Sequence, residues 1–255
     1  MAPTLDRSAP PTGRLAGRRV IITGAARGIG AEIARAYRRE GAELVLLDIA
    51  DDELSVFADS IGAKPLTVDL ADAANTARAM HQAIVTLGGI DILVNNAGVL
   101  KMAPLLELSI ENWDLTFDVN VRAMFVTTQV AARTMVEQHH GTIINMASMG
   151  GKLGSPNQAH YAASKAAVIS LTRVAAMELG PHNITVNCIC PGYVLTEMGS
   201  STRTPEMVQA WSAKSPLGRL ATPTDVANMA VFLASDEASY CTGQAMNVSG
   251  GMVMH

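Results

Sequence analysis

The first glycine-rich segment of the chain is Thr23-Gly24-Ala25-Ala26-Arg27-Gly28-Ile29-Gly30. An apolar run from Val20 to Thr23 comes directly before it, and helical spacing of apolar residues follows from Ile29 to Glu40. Gly24, Gly28 and Gly30 lack the side chains that would block a tight turn, close packing of helix on strand, and approach of a pyrophosphate to the helix N-terminus. The segment therefore predicts a strand, a phosphate-binding turn and a helix.

Strands and helices continue to alternate after this turn. Short apolar runs bounded by Gly, Asp or Asn are typical of buried strands, and they occur at Val20 to Thr23, Leu44 to Leu47, Leu66 to Val68, Ile92 to Val94, Thr142 to Met146, Thr185 to Ile189 and Met246 to Val248. Helical spacing lies between them at Ile29 to Glu40, Ala71 to Leu87, Trp113 to Gln138 and Ala159 to Leu179. Strands joined by such helices pair in parallel, so we predict an α/β Rossmann fold: a doubly wound parallel sheet of about seven strands with helices on both faces.

Composition limits the number of domains and the class of partner. A length of 255 residues with 49% hydrophobic content suits one domain, which we place at residues 15–255. Residues 1–14 contain three prolines and are expected to form a flexible tail. The segment 194–215 is rich in Ser, Thr, Met and Pro, with only a patchy helical pattern, and we interpret it as a lid over the ligand crevice.

The charge pattern argues against nucleic acid and membrane partners. The net charge is -4, no basic stripe is present, and no run of about 18 apolar residues could span a bilayer. We therefore expect a cytoplasmic protein. Three cysteines fit a reducing compartment, and Cys188 and Cys190 are expected to pack in the core on one face of a strand. The six histidines form no cluster, so no metal site is predicted.

An acidic residue follows the second strand at the spacing expected for a dinucleotide site. Asp48 comes about 20 residues after the glycine turn, where a carboxylate accepts hydrogen bonds from the adenosine ribose and repels a 2′-phosphate. Arg27 is the opposing signal, because a guanidinium near that ribose could hold a phosphate. Repulsion at close range decides for NAD over NADP.

Tyr161 and Lys165 stand four residues apart in a predicted helix, so their side chains share one face. Ser148 lies just beyond the carboxyl end of a predicted strand, where open α/β sheets bind their ligands. A tyrosine must lose about two to three pKa units to act as a base near neutral pH, and an adjacent ammonium favours its phenolate. The three residues predict proton transfer at an alcohol or ketone oxygen.

In combination these motifs resemble the short-chain dehydrogenase/reductase family over about residues 15–252. The matching landmarks, in chain order, are Thr23 to Gly30, Asn95-Asn96-Ala97-Gly98, Asn120, Ser148, Tyr161 to Lys165 and Pro191-Gly192. The resemblance implies an NAD-preferring secondary-alcohol or polyol dehydrogenase. In that case Tyr161 transfers the proton, Ser148 binds the reacting oxygen, and Lys165 also binds the nicotinamide ribose.

The resemblance implies further roles around the crevice. Asn120 would support a water that links Lys165 to solvent, although its spacing fits a polar cap within a helix equally well. Tyr161 and Lys165 also count among the cofactor-binding residues; the others are Gly24, Arg27, Gly28, Ile29, Gly30, Asp48, Asp69, Leu70, Asn96, Ala97, Gly98, Pro191, Gly192, Val194 and Thr196. Of these, Asp69 would accept from the adenine amino group, and Thr196 would bind the carboxamide or a phosphate.

Residues that flank the catalytic set or lie in the lid are expected to form the substrate pocket. They are Ser148, Met149, Gly150, Leu153, Asn157, His160, Tyr161, Tyr193, Met198 and Trp211. This mixture suits a polyol, a sugar alcohol and a hydrophobic alcohol about equally. Two alternatives stay open: a 3-ketoacyl-carrier-protein reductase, which Asp48 and the negative charge disfavour, and a non-catalytic NAD-sensing protein.

The long predicted helices carry apolar residues on more than one face. Examples are Met124, Phe125, Val126, Val168, Leu171 and Met177. Such an excess indicates helix-to-helix contacts between subunits, although a wide buried stripe would explain it too. The family resemblance implies a homotetramer, with residues 243–255 reaching a neighbouring subunit.

Overall fold

Seven parallel strands form one sheet in the computed structural model, which describes residues 13–196 and 204–255. The strands are β1 (Arg19–Thr23), β2 (Glu43–Asp48), β3 (Lys64–Thr67), β4 (Ile92–Asn95), β5 (Gly141–Met146), β6 (Ile184–Pro191) and β7 (Ala245–Val248). Their order is β3-β2-β1-β4-β5-β6-β7. The predicted doubly wound α/β fold is confirmed.

The sheet reverses its winding direction between β1 and β4. β1 pairs with β2 on one side and with β4 on the other, so the chain leaves the two neighbouring strands β1 and β4 toward opposite faces. Connections that diverge in this way leave a crevice beyond the carboxyl ends of the strands. The segments that follow Thr23 and Asn95 border this crevice.

Helices cover both faces of the sheet. Those in the described residues are α1 (Gly28–Arg39), α2 (Asp51–Ile61), α3 (Ala73–Leu87), α4 (Ile110–Phe117), α5 (Ala123–Gln138), α6 (Gly150–Leu153), α7 (Ala159–Leu179), α8 (Pro205–Ser212) and α9 (Pro223–Ala234). Alternate side chains of β1 face opposite layers, as expected for a strand. Val20 and Ile22 pack with α1, α2 and α9, whereas Ile21 packs with α3, α5 and α7.

Three features differ from the sequence-based expectation. The helix predicted over 113–138 is interrupted by a π-helical turn at Asp118–Arg122. Helices α2 and α9 were not predicted; α9 is apolar on most of its surface and therefore shows no clear helical period. The expected tail boundary is too late, because Arg14 belongs to the fold and bonds Glu40 through its backbone and its guanidinium.

None of the helices in the described part of the chain is long and apolar enough to cross a membrane. Cys188 and Cys190 are fully buried in one apolar cluster, which confirms the prediction that they pack in the core on one face of their strand.

Candidate active site

The glycine turn between β1 and α1 forms an open cradle. Gly24 and Gly28 adopt φ values of 63° and 61°, which residues with a Cβ rarely do. A Cβ on Gly30 would overlap the carbonyl oxygen of Gly24. No side chain caps the N-terminus of α1, and its first turn holds no acidic residue. Free backbone N–H groups and the positive end of the helix dipole therefore face the place where a pyrophosphate would lie.

The turn after β4 is bonded directly to the glycine turn. The amide group of Asn96 donates to the carbonyl oxygens of Thr23, at 3.1 Å, and Gly24, at 2.8 Å. The Thr23 hydroxyl oxygen accepts from the backbone N–H groups of Asn96 and Ala97, both at 3.1 Å. These bonds fix the turn after β4 and the glycine turn relative to each other.

Asp48 ends β2 beside the glycine turn. One carboxylate oxygen accepts from the N–H of Ala26 at 2.9 Å, and the other accepts from Ile49 at 2.8 Å and Ala50 at 3.1 Å. A carboxylate offers about four acceptor positions, so one remains for a ribose hydroxyl. Arg27 is mostly exposed, and its guanidinium lies 3.6 Å from Glu53, which partly neutralises it.

The loop after β3 contributes one exposed and one buried residue. Asp69 is exposed, and its carboxylate accepts from the N–H of Ala71 at 2.9 Å. Leu70 is buried and lines a small cavity together with Thr23, Asn95 and Ala97. Leu70 therefore lies at the switch point of the sheet, where the cofactor-binding side was expected.

The loop after β6 closes the other side of the crevice. A Cβ on Gly28 would lie 3.7 Å from the Thr196 side chain, which places Thr196 over the glycine turn. Pro191 accepts from the backbone N–H of Met149 at 3.0 Å, next to Ser148. Gly192 packs closely on Ser249, and Val194 forms a parallel bridge with Ala221. The loop thus connects the phosphate turn with the predicted catalytic residues.

Ser148, Tyr161 and Lys165 come together at the carboxyl end of β5. The Ser148 hydroxyl and the Tyr161 ring both border Gly150, and Lys165 Nζ lies 5.7 Å from the centroid of the Tyr161 ring. A Cβ on Gly98 would lie 3.4 Å from Lys165 Nζ, so the lysine also borders the turn after β4. The structure therefore brings together the three residues that the sequence analysis grouped.

The electrostatics of this group differ from the expectation. Burial lowers the pKa of Lys165 to about 8. Burial also raises the pKa of the Tyr161 phenol, and the nearby Ser148 hydroxyl opposes this shift. The expected lowering of the tyrosine pKa by Lys165 is not found in the chain by itself, where burial outweighs it; the ammonium donates to the carbonyl oxygen of Met146 at 2.7 Å.

Asn120 lies inside the π-helical turn between α4 and α5. Its side-chain oxygen accepts from the N–H of Val99 at 2.8 Å, and its amide donates to the Val99 carbonyl and to the Ser164 hydroxyl. The Ser164 hydroxyl donates in turn to the carbonyl of Tyr161 at 2.7 Å. Sequence reasoning missed Ser164, although it stands three residues after Tyr161 and next to Lys165. The π-turn makes Asn120 a bridge between elements, not a helix cap.

The expected substrate residues occupy different places in the structure. Gly150 borders both catalytic hydroxyl residues, since a Cβ there would lie 3.4 Å from the Ser148 hydroxyl and 3.6 Å from the Tyr161 ring. Tyr193 and Trp211 stack on each other. His160 contradicts the expectation: it is fully buried, and neither ring nitrogen has a hydrogen-bond partner, so it does not line the open crevice.

Asn157 is a further predicted pocket residue. Asn157 is exposed with a φ of 64°, and its carbonyl accepts from the N–H of Ala103 at 3.0 Å. Met198 lies outside the described residues, as do positions 197 to 203 of the predicted lid. The described part of the predicted lid consists of residues 194–196 and 204–215, which include α8.

The residues around the crevice fit a nicotinamide dinucleotide. The uncapped N-terminus of α1 and the glycine cradle suit its pyrophosphate, and the free acceptor position of Asp48 suits a ribose hydroxyl. When bound, the nicotinamide supplies the hydride donor or acceptor. The chain itself supplies a hydroxyl pair, Ser148 and Tyr161, that can hold an alcohol or ketone oxygen and transfer its proton.

Comparisons with known proteins point the same way. Residues 24–253 match a family described as Enoyl-(Acyl carrier protein) reductase. The chain is 41% identical to the Oxidoreductase UcpA of Salmonella typhimurium, with 95% of this chain and 97% of that protein covered. It is 38% identical to the 3-oxoacyl-(acyl-carrier-protein) reductase FabG of Thermotoga maritima, with 94% and 100% covered. The crystal structure titled gox2181 superimposes with a TM-score of 0.90 at 31% identity and covers 94% of this chain and 96% of that one. Because the matches span nearly the whole chain, this protein belongs to the short-chain dehydrogenase/reductase family, whose oxidoreductases use a nicotinamide cofactor.

Proposed function

We propose that this protein is an NAD-dependent alcohol dehydrogenase and ketone reductase that acts on a secondary alcohol/ketone pair. The observation that carries the proposal is the complete set of Ser148, Tyr161 and Lys165 beside the glycine turn. A protein that only senses NAD needs the turn but no proton donor. The retained hydroxyl pair therefore favours turnover over sensing.

Asp48 supports NAD as the cofactor. Its carboxylate is held by three backbone N–H groups, so it cannot swing away from the ribose position without losing them. A 2′-phosphate placed there would meet a fixed negative charge. Arg27, the nearest candidate for binding such a phosphate, is exposed and shared with Glu53.

The residues divide the chemistry among them. Ser148 binds the reacting oxygen, and Tyr161 donates or accepts its proton. Lys165 donates a hydrogen bond to the Met146 carbonyl at the end of β5. Asn120 and Ser164 brace the backbone of Tyr161 from the side of the π-turn. Correct placement of the carbinol carbon against the nicotinamide accounts for much of the rate enhancement in such a reaction.

The decisive experiment follows absorbance of the reduced nicotinamide with purified protein. NAD and NADP are compared across polyols, sugar alcohols and hydrophobic secondary alcohols. Tyr161→Phe removes the proton-transferring hydroxyl and should lower the rate by at least about 10²-fold. Tyr240→Phe is the matched control, because Tyr240 is fully exposed, and it should keep the wild-type rate. Equal rates for the two variants would refute the assignment of Tyr161.

A 3-ketoacyl-carrier-protein reductase is the second candidate. The FabG relative and the acyl-carrier-protein wording of the matched family favour it. The net charge of -4 disfavours it, because an acidic carrier docks best on a basic surface. Turnover of a ketoacyl thioester far above that of simple ketones, with NADPH as donor, would establish this candidate instead.

We also propose that the active form is a homotetramer. Apolar side chains remain exposed on the outer faces of α5 and α7, among them Phe125, Val174 and Met177. Exposed apolar residues on two neighbouring long helices are typical of a subunit interface.

A further inference from the structure

Two aromatic side chains stack between the loop after β6 and helix α8. The ring centroids of Tyr193 and Trp211 are 4.6 Å apart, with an angle of 8° between their planes. Tyr193 follows β6, only two residues after Pro191, and Trp211 belongs to α8 of the lid. Both side chains are partly buried. The two stacked rings therefore form a flat surface that joins the loop after β6 to helix α8.

Several backbone bonds hold this surface in place. Leu195 donates to the carbonyl of Ala221 at 2.8 Å, and Ala221 donates to the carbonyl of Tyr193 at 3.0 Å. On the far side of α8, the Ser215 hydroxyl donates to the carbonyl of Gly250 at 3.0 Å. The segment that contains Trp211 is therefore hydrogen-bonded to the loop after β7.

Apolar side chains also lie at the opposite rim of the site. Leu153 ends the short helix α6, which begins at Gly150 beside Ser148 and Tyr161, and it is 59% exposed. Met102 is 64% exposed, and its neighbour Ala103 is bonded to the loop that precedes α7. Exposed apolar residues on segments next to the reacting groups suit an apolar ligand.

The polar groups that a polyol would need are displaced from this rim. His160 was the main candidate, and it is fully buried away from the crevice. Asn157 lies in an exposed turn with a left-handed backbone, and its backbone carbonyl accepts from the N–H of Ala103. The hydroxyls of Ser148 and Tyr161 both serve the reacting oxygen, and the single phenol of Tyr193 is too few for the several hydroxyls of a polyol.

We propose that the substrate is a secondary alcohol or ketone with an apolar substituent, alkyl or aromatic, that packs between the Tyr193–Trp211 stack and Leu153. This inference rests on the proposed function. In the oxidative direction the carbinol carbon loses a hydride to the oxidised nicotinamide, the hydroxyl proton passes to Tyr161, and the products are the ketone, the reduced nicotinamide and one proton. Polyols and sugar alcohols are poor substrates because their hydroxyls lose water without gaining partners.

The first test measures kcat/KM for 2-butanol, 2-pentanol, 2-hexanol and 2-heptanol against xylitol and sorbitol. Each added methylene should raise kcat/KM about threefold to fourfold, the value for burial of one methylene. Trp211→Ala should flatten this series, whereas Trp211→Phe should keep most of the slope. Val85→Ala is the control for loss of an exposed apolar side chain far from the site and should leave the slope unchanged. A preference for xylitol or sorbitol, or a flat wild-type series, would overturn the inference.

The second test does not need turnover. The chain has two tryptophans, Trp113 and Trp211, so Trp113→Phe isolates the emission of Trp211. In the inactive double variant Trp113→Phe, Tyr161→Phe with NADH, 2-heptanone and acetophenone should change the Trp211 emission at concentrations where dihydroxyacetone does not. If no alcohol is oxidised but these ketones still change the emission, the proposed function fails and only the apolar binding surface at Trp211 stands. An absent or equal response to all three ketones refutes the inference.

Discussion

Replacement of Asp48 by Asn tests the cofactor assignment most directly. The carboxylate accepts backbone hydrogen bonds from Ala26, Ile49 and Ala50, and one acceptor position remains for a ribose hydroxyl. The amide has nearly the same shape but carries no charge, and one of its two terminal atoms donates instead of accepting. The substitution therefore removes the charge at the end of β2 and leaves the size of the side chain unchanged.

The size of the effect has two sources. Hydrogen bonds to a charged group contribute about 1.5 to 3 kcal/mol and neutral ones about 0.5 to 1.5, so NAD should lose about 1 to 2 kcal/mol. A unit charge 5 Å from the 2′-phosphate costs about 3 kcal/mol at an effective dielectric constant of 20, and solvent at the half-exposed Asp48 reduces this to about 1 to 2 kcal/mol. Their sum predicts a shift of about 2 to 4 kcal/mol, or roughly 30- to 900-fold, in the NAD/NADP preference.

The assay compares kcat/KM for NAD and NADP at one saturating alcohol concentration in wild type, Asp48→Asn and Asp69→Asn. Asp69 is the matched control, because it is expected to contact the adenine, which both cofactors share. Asp69→Asn should weaken both cofactors equally and leave their ratio unchanged. Two results would refute the reasoning: a wild-type preference for NADP, or an Asp48→Asn ratio within threefold of the wild-type value.

Three further outcomes are expected. Lys165→Met should abolish turnover without lowering the midpoint of thermal unfolding by more than a few degrees, because it replaces a buried, desolvated ammonium; a variant that unfolds readily would show a structural role instead. Burial opposes ionisation of Asp91, but hydrogen bonds from Arg19 and His140 outweigh it and lower its pKa to about 2; Asp91→Asn should therefore cost about 2 kcal/mol of unfolding free energy at pH 7, and the difference should shrink as the pH falls from 4 to 2 in denaturant titrations. Light scattering should give about four times the 26.8 kDa chain mass, and a monomeric mass would rule out the tetramer.

Much of the fold could be predicted because its signals are local. The turn between β1 and α1 needs glycines at fixed offsets, and each strand is a short apolar run, so neither depends on distant residues. Helix α9 was not predicted because its sequence lacks such a local signal. It packs against α1 and the sheet, and the burial of apolar residues over much of its surface obscures the periodicity that marks a surface helix.

The sequence indicated which residues form the catalytic group, but not the contacts that hold them in place. Tyr161 and Lys165 share a helix face by spacing alone, yet the contact of Asn120 with Ser164 depends on a π-turn that adds a residue to one helical turn. No local pattern in Asp118–Arg122 indicates that turn, because the tertiary contacts with Val99 and α7 stabilise it. His160 was misplaced for a similar reason: its position on α7 next to Tyr161 was clear, but the direction of its side chain was not.

The protonation states were the least predictable part of the site. An ammonium lowers the pKa of a phenol only when it lies close to the phenol oxygen. Here the Lys165 ammonium donates a hydrogen bond to the backbone carbonyl of Met146 in β5, at 2.7 Å. Burial then governs both groups: it lowers the pKa of Lys165 to about 8 and raises that of Tyr161. A phenol with a raised pKa stays protonated at neutral pH, so the chain by itself holds Tyr161 as a proton donor. That state suits reduction of a ketone, and oxidation of the alcohol needs additional positive charge or a higher pH to form the base.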